Sequence, residues 1–296
     1  MRILLTGATG GIGQKLIKDL LKSQKYKIRL LVRNKAKVEN FMNDVELIEG
    51  DLLDLNSLEK ATTGVQTVLH LAGLTHSHIP DSYYTINTSG TENLLKASEL
   101  NSVNKFVFIS SRTASESGGA YARSKLLAEE RVKQFKRSWV ILKIAEVYGA
   151  NDKEAINKLI HIIKKSYFIP IIGDGEYKLA PVYVNDVVWA ILRVIERDTI
   201  INEEYIIAGP VQYSYNEIVD IISNKMGLKR KKIFLPIFII RLLAFFCRIL
   251  RSNLIVEDQI SRLMSPKSID ISRARDNFNF TPQDFQSRLD EILNMR

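Results

Sequence analysis

The sequence predicts a doubly wound α/β fold, in which helices cover both faces of a parallel sheet. Over residues 1–150, short apolar runs alternate with stretches of helical periodicity, and a glycine-rich turn follows the first run directly. This alternation is typical of a parallel sheet, because each strand is followed by a helix that returns the chain to the same edge. After Gly149 helical periodicity dominates. We therefore expect a sheet domain over residues 1–150 and a smaller, mostly helical substrate lobe over 151–296, with some segments crossing back to the sheet.

The individual elements follow from apolar spacing and turn residues. Strands are expected at Ile3–Thr6, Ile28–Val32, Val45–Ile48, Thr67–Leu71, Phe106–Ser110 and Val140–Leu142, with helices at Ile12–Leu21, Tyr83–Leu100 and Tyr121–Phe135. In the second half, helices are expected at Lys153–Lys165, Asn185–Arg197, Ser214–Met226, Ile237–Ile249 and Asn253–Leu263, with short strands near Val182–Val184 and Tyr205–Ile207.

The composition is that of a globular protein that buries a core without disulfides. Of 296 residues, 46% are hydrophobic and 25% are charged, and Cys247 is the only cysteine. The net charge is +9, but no dense basic block or nucleic-acid motif accompanies it, so we expect no nucleic-acid partner. The first apolar run is too short for a signal peptide, and no long uncharged apolar stretch occurs. We expect a cytoplasmic protein that forms a homodimer.

The glycine turn Thr6–Gly13 carries the clearest functional signal. Gly7 can turn sharply because it has no Cβ, Gly10 lets the backbone approach a pyrophosphate, and Gly13 lets helix and strand pack closely. The helix that follows presents free N–H groups and the positive end of its dipole to phosphate. This strand–turn–helix context predicts a Rossmann-type dinucleotide site. Its candidate cofactor-binding residues are Gly7, Thr9, Gly10, Gly11, Ile12 and Gly13.

The end of the second strand indicates which dinucleotide is bound. A site selective for an unphosphorylated ribose usually places an acid there, whereas this chain has Arg33, with Lys35 and Lys37 close behind. A guanidinium can stack on adenine and pair with a 2′-phosphate. We therefore favour NADP, with NAD as the alternative.

A serine, a tyrosine and a lysine are the candidates for catalysis. Ser111 ends a buried strand, and Tyr121 and Lys125 lie four residues apart, which places them on one face of a helix. A neighbouring ammonium and the positive charge of a nicotinamide would both favour the phenolate, although an unperturbed phenol has a pKa near 10. Tyr121 could then exchange a proton with a substrate oxygen that Ser111 holds. Lys125 could also anchor the nicotinamide ribose.

Taken together, these motifs resemble the extended short-chain dehydrogenase/reductases, the NAD-dependent epimerase/dehydratase family, over nearly the whole chain. The segments that carry the resemblance are Thr6–Gly13, Gly50–Leu52, His70–Gly73, Asn87–Leu95, Ser110–Ser111, Tyr121–Lys125, Val147–Gly149, Pro181–Val187 and Phe280–Pro282. The resemblance implies that Ser111, Tyr121 and Lys125 form the catalytic trio.

The same resemblance implies roles around the cofactor. Asp51 and Leu52 would contact adenine, and Ala72 and Gly73 would line the ribose and phosphate region. Asn87 is placed with the cofactor site, where it would stabilise the central helix; by residue type alone it could be a capping or turn residue.

Two departures from the family pattern bear on the substrate. Dehydratases of the family usually follow the catalytic hydroxyl with an acidic pair, whereas this chain has Arg112 and Thr113, which argues against dehydration. Many nucleotide-sugar members carry an arginine where this chain has Leu179, next to Lys178. The segment Gly173–Val182 is closer to atypical members, some of which bind cofactor without catalysing much, including relatives of a respiratory complex I accessory subunit.

The loop after the fourth strand is a candidate substrate region. The family often binds substrate there, so Thr75 and His76 are candidates, and Thr113 is a third. His76 and His78 have neither a third ligand nor a metal-type spacing, so we expect no metal.

Residues 233–251 are strongly apolar but contain Arg241, Arg248 and Arg251. The interpretation we favour is a strand and a helix that pack under the substrate lobe. The alternative is a helix that lies on an anionic membrane surface.

The functional hypothesis is therefore an NAD(P)-dependent reductase or epimerase that moves hydride at a hydroxyl or keto carbon. The expected substrate is a nucleotide sugar or a related keto compound. The alternative is a cofactor-loaded, non-catalytic structural or assembly protein, which an intact Ser111, Tyr121 and Lys125 set disfavours.

Overall fold

The structure is a computed structural model that describes residues 1–149, 154–250, 252 and 256–294. Its strands are β1 Arg2–Thr6, β2 Lys27–Val32, β3 Glu46–Glu49, β4 Thr67–His70, β5 Lys105–Ser111, β6 Ser138–Ile144, β7 Val147–Tyr148, β8 Phe168–Ile172, β9 Lys178–Leu179, β10 Val182–Tyr183, β11 Glu203–Ile207, β12 Tyr213–Ser214 and β13 Lys231–Leu235.

The α-helices are α1 Gly11–Ser23, α2 Leu55–Thr62, α3 Pro80–Tyr83, α4 Gly90–Leu100, α5 Gly119–Lys133, α6 Ala155–Lys165, α7 Val184–Glu196, α8 Tyr215–Lys225, α9 Ile237–Ile249, α10 Glu257–Met264, α11 Ser272–Phe278 and α12 Phe285–Asn294. A 3-10 helix spans Lys35–Phe41, and a π-helical segment, Tyr84–Ser89, joins α3 to α4. Parts of two expected helices, residue 153 and residues 253–255, lie outside the described residues, as does Arg251.

Seven parallel strands form the main sheet in the order β11-β6-β5-β4-β1-β2-β3. The expected doubly wound parallel sheet is therefore confirmed. The strand order reverses at β1, which pairs with β2 on one side and β4 on the other. In open sheets of this kind the ligand crevice forms outside the carboxyl ends of the strands at that reversal.

Alternating side chains of the strands build one core on each face of the sheet. Ile3 and Leu5 pack in the cluster on one face, whereas Leu4 packs in the cluster on the other. Successive residues of a strand point to opposite faces, so a strand covered on both sides is apolar throughout.

Segments after residue 150 are divided between the sheet and the lobe. α7 packs beside α1, and β11 then adds a parallel strand to the edge of the sheet next to β6. The remaining strands form three two-stranded pairs, β7 with β10, β9 with β12 and β8 with β13. Helix α10 of this lobe packs against α5 and so brings the lobe to the carboxyl ends of the central strands.

The packing expected for residues 233–251 is wrong for most of α9. The strand and the helix are present, but Ile240 and Ala244 are its only fully buried apolar side chains. Apart from Arg241 and Arg248 the helix is apolar on every side, so its periodicity gives little indication of which apolar side is covered. Among the described residues, no helix combines the length and apolar character that crossing a bilayer requires.

Candidate functional site

The glycine turn between β1 and α1 has the geometry that its sequence requires. Gly7 has a φ of +79°, and a Cβ there would lie 2.7 Å from the backbone of Leu71 and Ala72. A Cβ on Gly13 would lie 2.4 Å from the carbonyl oxygen of Gly7. Glycine is therefore needed at both positions, because backbone atoms occupy the space of a side chain.

A crevice of about 430 Å³ opens at this turn, between the ends of β1, β2 and β4. Of the expected cofactor residues, it is lined by Gly7, Thr9, Gly10, Arg33, Asp51, Leu52, Ala72 and Gly73. Gly11, Ile12 and Gly13 belong to the first turn of α1 instead, where they carry the free amide groups of the helix N-terminus.

This crevice fits a dinucleotide. Gly7 and Gly10 line it without side chains, and α1 begins at Gly11 with its N-terminal amides and its positive dipole end at the crevice. The rim at the end of β2 carries Arg33, Asn34 and Lys37, and Asp51 lines the crevice just beyond the neighbouring strand β3.

A buried hydrogen-bonded chain through His70 fixes the crevice floor at the strand reversal. The Thr91 hydroxyl donates to the Asn87 carbonyl, so it accepts from His70 Nε2, 2.9 Å away. His70 Nδ1 is then the acceptor for the Thr6 hydroxyl, 2.7 Å away, which itself accepts from the Ala72 N–H. Burial and, to a smaller extent, the nearby Lys125 ammonium together lower the pKa of His70 to about 3. The imidazole therefore stays neutral, as this series of hydrogen bonds requires. Nothing in the sequence indicated this role for His70.

Asn87 joins the crevice to the helix that carries the tyrosine. Its Oδ1 accepts from the Leu74 N–H at 2.7 Å, and its Nδ2 donates to the Leu74 carbonyl and to Ser124 Oγ, both at 3.0 Å. Asn87 lies in the π-helical segment and is 2% exposed. The structure thus gives this residue a positioning role between the loop after β4 and α5, rather than a place on the crevice wall.

Tyr121 and Ser111 meet beyond this junction. Ser111 ends β5 and Tyr121 lies in the first turn of α5, and the Ser111 hydroxyl is close enough to favour the Tyr121 phenolate by hydrogen bonding. The Thr113 hydroxyl lies 2.8 Å from Ser111 Oγ, so the three hydroxyls form one cluster. The ring of Tyr83 packs edge-on against Tyr121, with 5.9 Å between the ring centroids.

Lys125 is buried one helical turn beyond Tyr121, with 5% of its surface exposed. Its Nζ donates to the Ile109 carbonyl at 2.8 Å and lies 4.0 Å from the centre of the Phe108 ring. Burial lowers the pKa of Lys125 to about 7, against the opposing attraction of Glu129. The ammonium is therefore held by the strand below it and sits at the edge of its protonated range at neutral pH.

The cation that faces the phenol of Tyr121 is Arg262, not the expected Lys125. The guanidinium of Arg262 lies 4.3 Å from the centre of the Tyr121 ring. Burial raises the pKa of Tyr121 above its ordinary value, while Arg262 and the hydrogen bond from Ser111 oppose that rise. The expected net lowering is therefore not seen, because loss of water around the phenol outweighs both effects.

Arg262 belongs to α10, which is fastened to the start of α5. Asp258 pairs with Arg262 at 3.0 Å and accepts from the Tyr121 backbone N–H at 3.1 Å. Arg262 also donates to the Thr75 carbonyl at 3.0 Å. The i, i+4 spacing of Asp258 and Arg262 was visible in the sequence, but nothing in it showed that this helix meets Tyr121.

Further cations border the cleft next to these hydroxyls. Arg112, 6% exposed, pairs with Glu146 at 2.7 Å. Burial lowers the pKa of Lys267 to about 8, with Glu146 opposing and Arg112 and Arg262 adding to the shift. Three basic side chains thus lie close enough to influence each other, and because Glu146 and Asp258 pair with the two arginines, the group keeps about one net positive charge when Lys267 is protonated.

The position at which many nucleotide-sugar members of the family carry an arginine contributes nothing to this cationic cluster. Leu179 is 4% exposed and belongs to the core, while Lys178 pairs with Glu217 at 3.3 Å on the surface.

The loop that contains Thr75 and His76 forms the rim of the same cleft. The Thr75 hydroxyl lies 2.8 Å from His76 Nδ1, and the Arg262 guanidinium reaches the Thr75 carbonyl. Burial and the charge of Arg262 lower the pKa of His76. His78 is turned away and hydrogen-bonded to the Ser252 carbonyl at 2.7 Å. Within the described ranges, no group of three or more acidic, histidine or cysteine side chains is arranged to hold a metal ion.

Comparison with known proteins agrees with this architecture. The model of the NAD dependent epimerase/dehydratase family matches residues 3–208. Ceramide reductase of Caulobacter vibrioides is 27% identical over 237 residues, which cover 79% of this chain and 73% of the reductase. The N-acetyl-alpha-D-glucosaminyl-diphospho-ditrans,octacis-undecaprenol 4-epimerase of Escherichia coli O157:H7 is 25% identical over 255 residues, covering 79% of this chain and 75% of the epimerase.

A solved structure shows that the fold is shared along the full length. The crystal structure of UDP-glucuronic acid 4-epimerase from Bacillus cereus, in complex with UDP-glucuronic acid and NAD, superposes with a TM-score of 0.79 at 24% identity and 100% coverage of both chains. The family model spans more than two thirds of the sequence, and the resemblance drawn from the motifs is confirmed. This chain belongs to the NAD dependent epimerase/dehydratase family.

Proposed function

We propose that this protein is an NADP-dependent reductase or epimerase that acts at a carbon bearing a hydroxyl or keto group, with Tyr121 as the proton-transfer residue. The observation that carries the proposal is the proximity of the Tyr121 phenol and the Ser111 hydroxyl at the carboxyl end of β5. Asn87 ties this pair to the dinucleotide crevice, through Leu74 on one side and Ser124 on the other.

Bound at the glycine turn, the nicotinamide cofactor supplies or accepts the hydride. The protein's part is to hold the substrate oxygen and move its proton. In this proposal the hydroxyls of Ser111 and Tyr121 both donate to the same substrate oxygen. As the carbon loses hydride, Tyr121 takes the proton of that oxygen; as the carbon gains hydride, Tyr121 returns it.

The charges around the phenol decide how readily it gives and takes this proton. Burial stabilises the neutral phenol, whereas Arg262 and the Ser111 hydrogen bond stabilise the phenolate. Lys125, with a pKa of about 7, lies on the same face of α5 and can take a proton from a neighbouring group at neutral pH. We assign it the roles of anchoring the cofactor ribose and adding positive charge near the phenolate.

The substrate we propose is a nucleotide sugar or a related keto compound that carries an anionic group. The cleft next to Ser111 is bordered by Arg112, Arg262 and Lys267, which pair poorly with neutral substrates and well with a phosphate. The names of the two relatives, a ceramide reductase and a polyprenol-linked sugar epimerase, cover both reduction and epimerisation. Thr75, His76 and Thr113 lie at the rim and are proposed to contact this substrate.

The preference for NADP over NAD is also a proposal. Arg33, Asn34 and Lys37 line the crevice where the adenosine ribose would lie, and these groups favour a 2′-phosphate. The related structure contains NAD, so the dissociation constants of NADPH and NADH need direct comparison. We expect tighter NADPH binding, and Arg33→Ala should weaken NADPH more than NADH. Arg137→Ala, an exposed arginine just before β6 and far from the crevice, is the matched control. Tighter NADH binding by the unaltered protein would refute the preference.

The test of the catalytic assignment is Tyr121→Phe, which removes only the phenolic oxygen. Turnover is measured as NADPH oxidation across a panel of keto-sugar nucleotides and simpler carbonyl compounds. We expect turnover to fall by about 10²- to 10⁴-fold while cofactor affinity is retained. Tyr26→Phe, at the far end of α1, is the control for a lost tyrosine hydroxyl. Unchanged turnover in Tyr121→Phe would reject the role of Tyr121, and tight cofactor binding with no turnover on any compound would favour a non-catalytic protein.

A further inference from the structure

Helix α9 presents an apolar ridge, which we define as Phe238, Leu242, Phe245 and Ile249. Their spacing of four, three and four residues places them on one side of the helix. They are 70%, 54%, 48% and 59% exposed, respectively. Four large apolar side chains in one exposed row are unlike the single exposed apolar residues that most soluble proteins carry.

The ridge is the outer side of a helix that is otherwise anchored to the protein. Ile240 and Ala244, on the opposite side, are 4% and 2% exposed. β13 leads into α9 and pairs in register with β8. Beyond α9, the Ser252 carbonyl accepts the hydrogen bond from His78. The ridge is therefore held in place at both ends.

The apolar surface continues past the ridge. Other exposed apolar side chains of α9 and of the β8–β13 pair extend it, namely Tyr167, Phe168, Ile233, Phe234, Leu243, Phe246 and Leu250. Aromatic rings are frequent among them, and rings of this kind are enriched where proteins meet the lipid headgroup layer.

The charged residues of α9 itself are both basic. Between Asp220 and Glu257 the sequence contains no acidic residue and eight lysines and arginines, of which Lys225 and Lys232 pair with Asp290 and Asp220. Arg241 and Arg248 are seven residues apart, so they flank the ridge on the same side of α9. The guanidinium of Arg248 lies 5.4 Å from the centre of the Phe245 ring. A partner for this surface must therefore be apolar in its interior and anionic at its edge.

We propose that the apolar ridge docks the protein on an anionic membrane surface, with the ridge among the acyl chains and the basic residues at the headgroups. A 13-residue helix is about 20 Å long, which suits a helix lying in the plane of the interface. A second copy of the chain fits the surface less well, because pairing two ridges would bring Arg241 and Arg248 of both copies together. The proposal does not depend on the catalytic assignment.

Docking in this way brings the cleft close to the lipid. α10 follows α9 in the chain and carries Arg262, which touches both Tyr121 and the Thr75 loop. His78, in that same loop, is bonded to the residue just beyond α9. The docked surface therefore borders the rim of the cleft.

The test is flotation of the full chain with vesicles of phosphatidylcholine alone or with a quarter of phosphatidylglycerol, at low and high salt. We expect binding to the anionic vesicles, weaker binding to the neutral ones and weakening by salt. The double variant Phe238→Glu with Phe245→Glu should bind at least about tenfold more weakly. Arg241→Gln with Arg248→Gln should lose about fivefold per arginine on anionic vesicles only.

Leu100→Glu is the matched control, because Leu100 is 67% exposed at the end of α4 and lies outside this surface. Circular dichroism and NADPH titration establish that each variant is folded. Two results would overturn the proposal. One is a lack of binding to anionic vesicles by the unaltered chain, and the other is binding that the ridge substitutions leave unchanged. Light scattering that shows a dimer split by the ridge substitutions would identify a second copy as the occupant instead.

Discussion

Substituting alanine for Gly7 separates two demands on that residue, its backbone conformation and the space beside it. Gly7 and Gly227 both have positive φ values, +79° and +64°. Alanine in this region is strained by roughly 1–2 kcal/mol at either position. The Cβ of Gly227→Ala would meet no atom within 4 Å, whereas that of Gly7→Ala would lie 2.7 Å from the backbone of Leu71 and Ala72. Overpacking of this kind costs about 1–3 kcal/mol more.

Gly7→Ala should therefore lose about 2–5 kcal/mol of unfolding free energy and Gly227→Ala only about 1–2 kcal/mol. Guanidinium denaturation of both variants measures this difference. Gly7→Ala should also widen the gap between β1 and β4 at the crevice, so we expect NADPH affinity to fall by roughly tenfold or more. Equal destabilisation of the two variants, with unchanged NADPH binding by Gly7→Ala, would refute the close approach at Gly7.

Three further predictions concern the residues around the phenol. Arg262→Gln removes the cation over the Tyr121 ring, so the pKa of Tyr121 should rise and the pH profile of substrate oxidation should move to higher pH. The exposed control Arg123→Gln should leave the profile in place. A profile for Arg262→Gln that matches this control would contradict the prediction. Burial lowers the pKa of Lys125 to about 7, so the unfolded chain binds more protons than the folded one between about pH 7 and the ordinary value of 10.5, and the free energy of unfolding should rise with pH in that window. Lys125→Met should flatten this rise. The same pH dependence of unfolding in the variant and the unaltered protein would refute the prediction. Asn87→Ala removes the hydrogen bonds to both Leu74 backbone groups and to Ser124 Oγ, and it should lower the free energy of unfolding by about 1–3 kcal/mol. The control Asn93→Ala removes one bond to a carbonyl and should lower it by about 1 kcal/mol. Equal losses in denaturation would argue against the positioning role of Asn87.

The cofactor crevice was the part of the site most open to prediction, because its residues are local in sequence. Gly7, Thr9 and Gly10 lie within one turn, and their place on the crevice wall follows from a strand, a tight turn and a helix N-terminus. Arg33 and Asp51 follow the next two strands, and carboxyl ends of parallel strands meet at one edge of the sheet. Asn87 was harder to place, because a side chain that bridges a loop and a helix has no sequence pattern of its own.

The surroundings of the catalytic candidates could not be predicted in the same way. Tyr121 and Lys125 share a helical face, which predicted an ammonium beside the phenol. The structure instead turns Lys125 Nζ to the Ile109 carbonyl and brings Arg262 to the Tyr121 ring from 141 positions along the chain. Such a contact depends on how the lobe folds back over α5, and short-range spacing carries no information about it.

Sequence alone determined the parallel sheet, the glycine turn and the pairing of Ser111, Tyr121 and Lys125 on adjacent elements. These features depend on apolar alternation, helical period and the lack of a Cβ, which act between near neighbours and can be read from residue order. Only the tertiary structure decided which cation faces Tyr121, that Asn87 joins the crevice to α5, and that the ridge of α9 points outward. The reason is that burial and long-range contacts set the charge, water access and exposure of a side chain, and these depend on which distant segments pack against it.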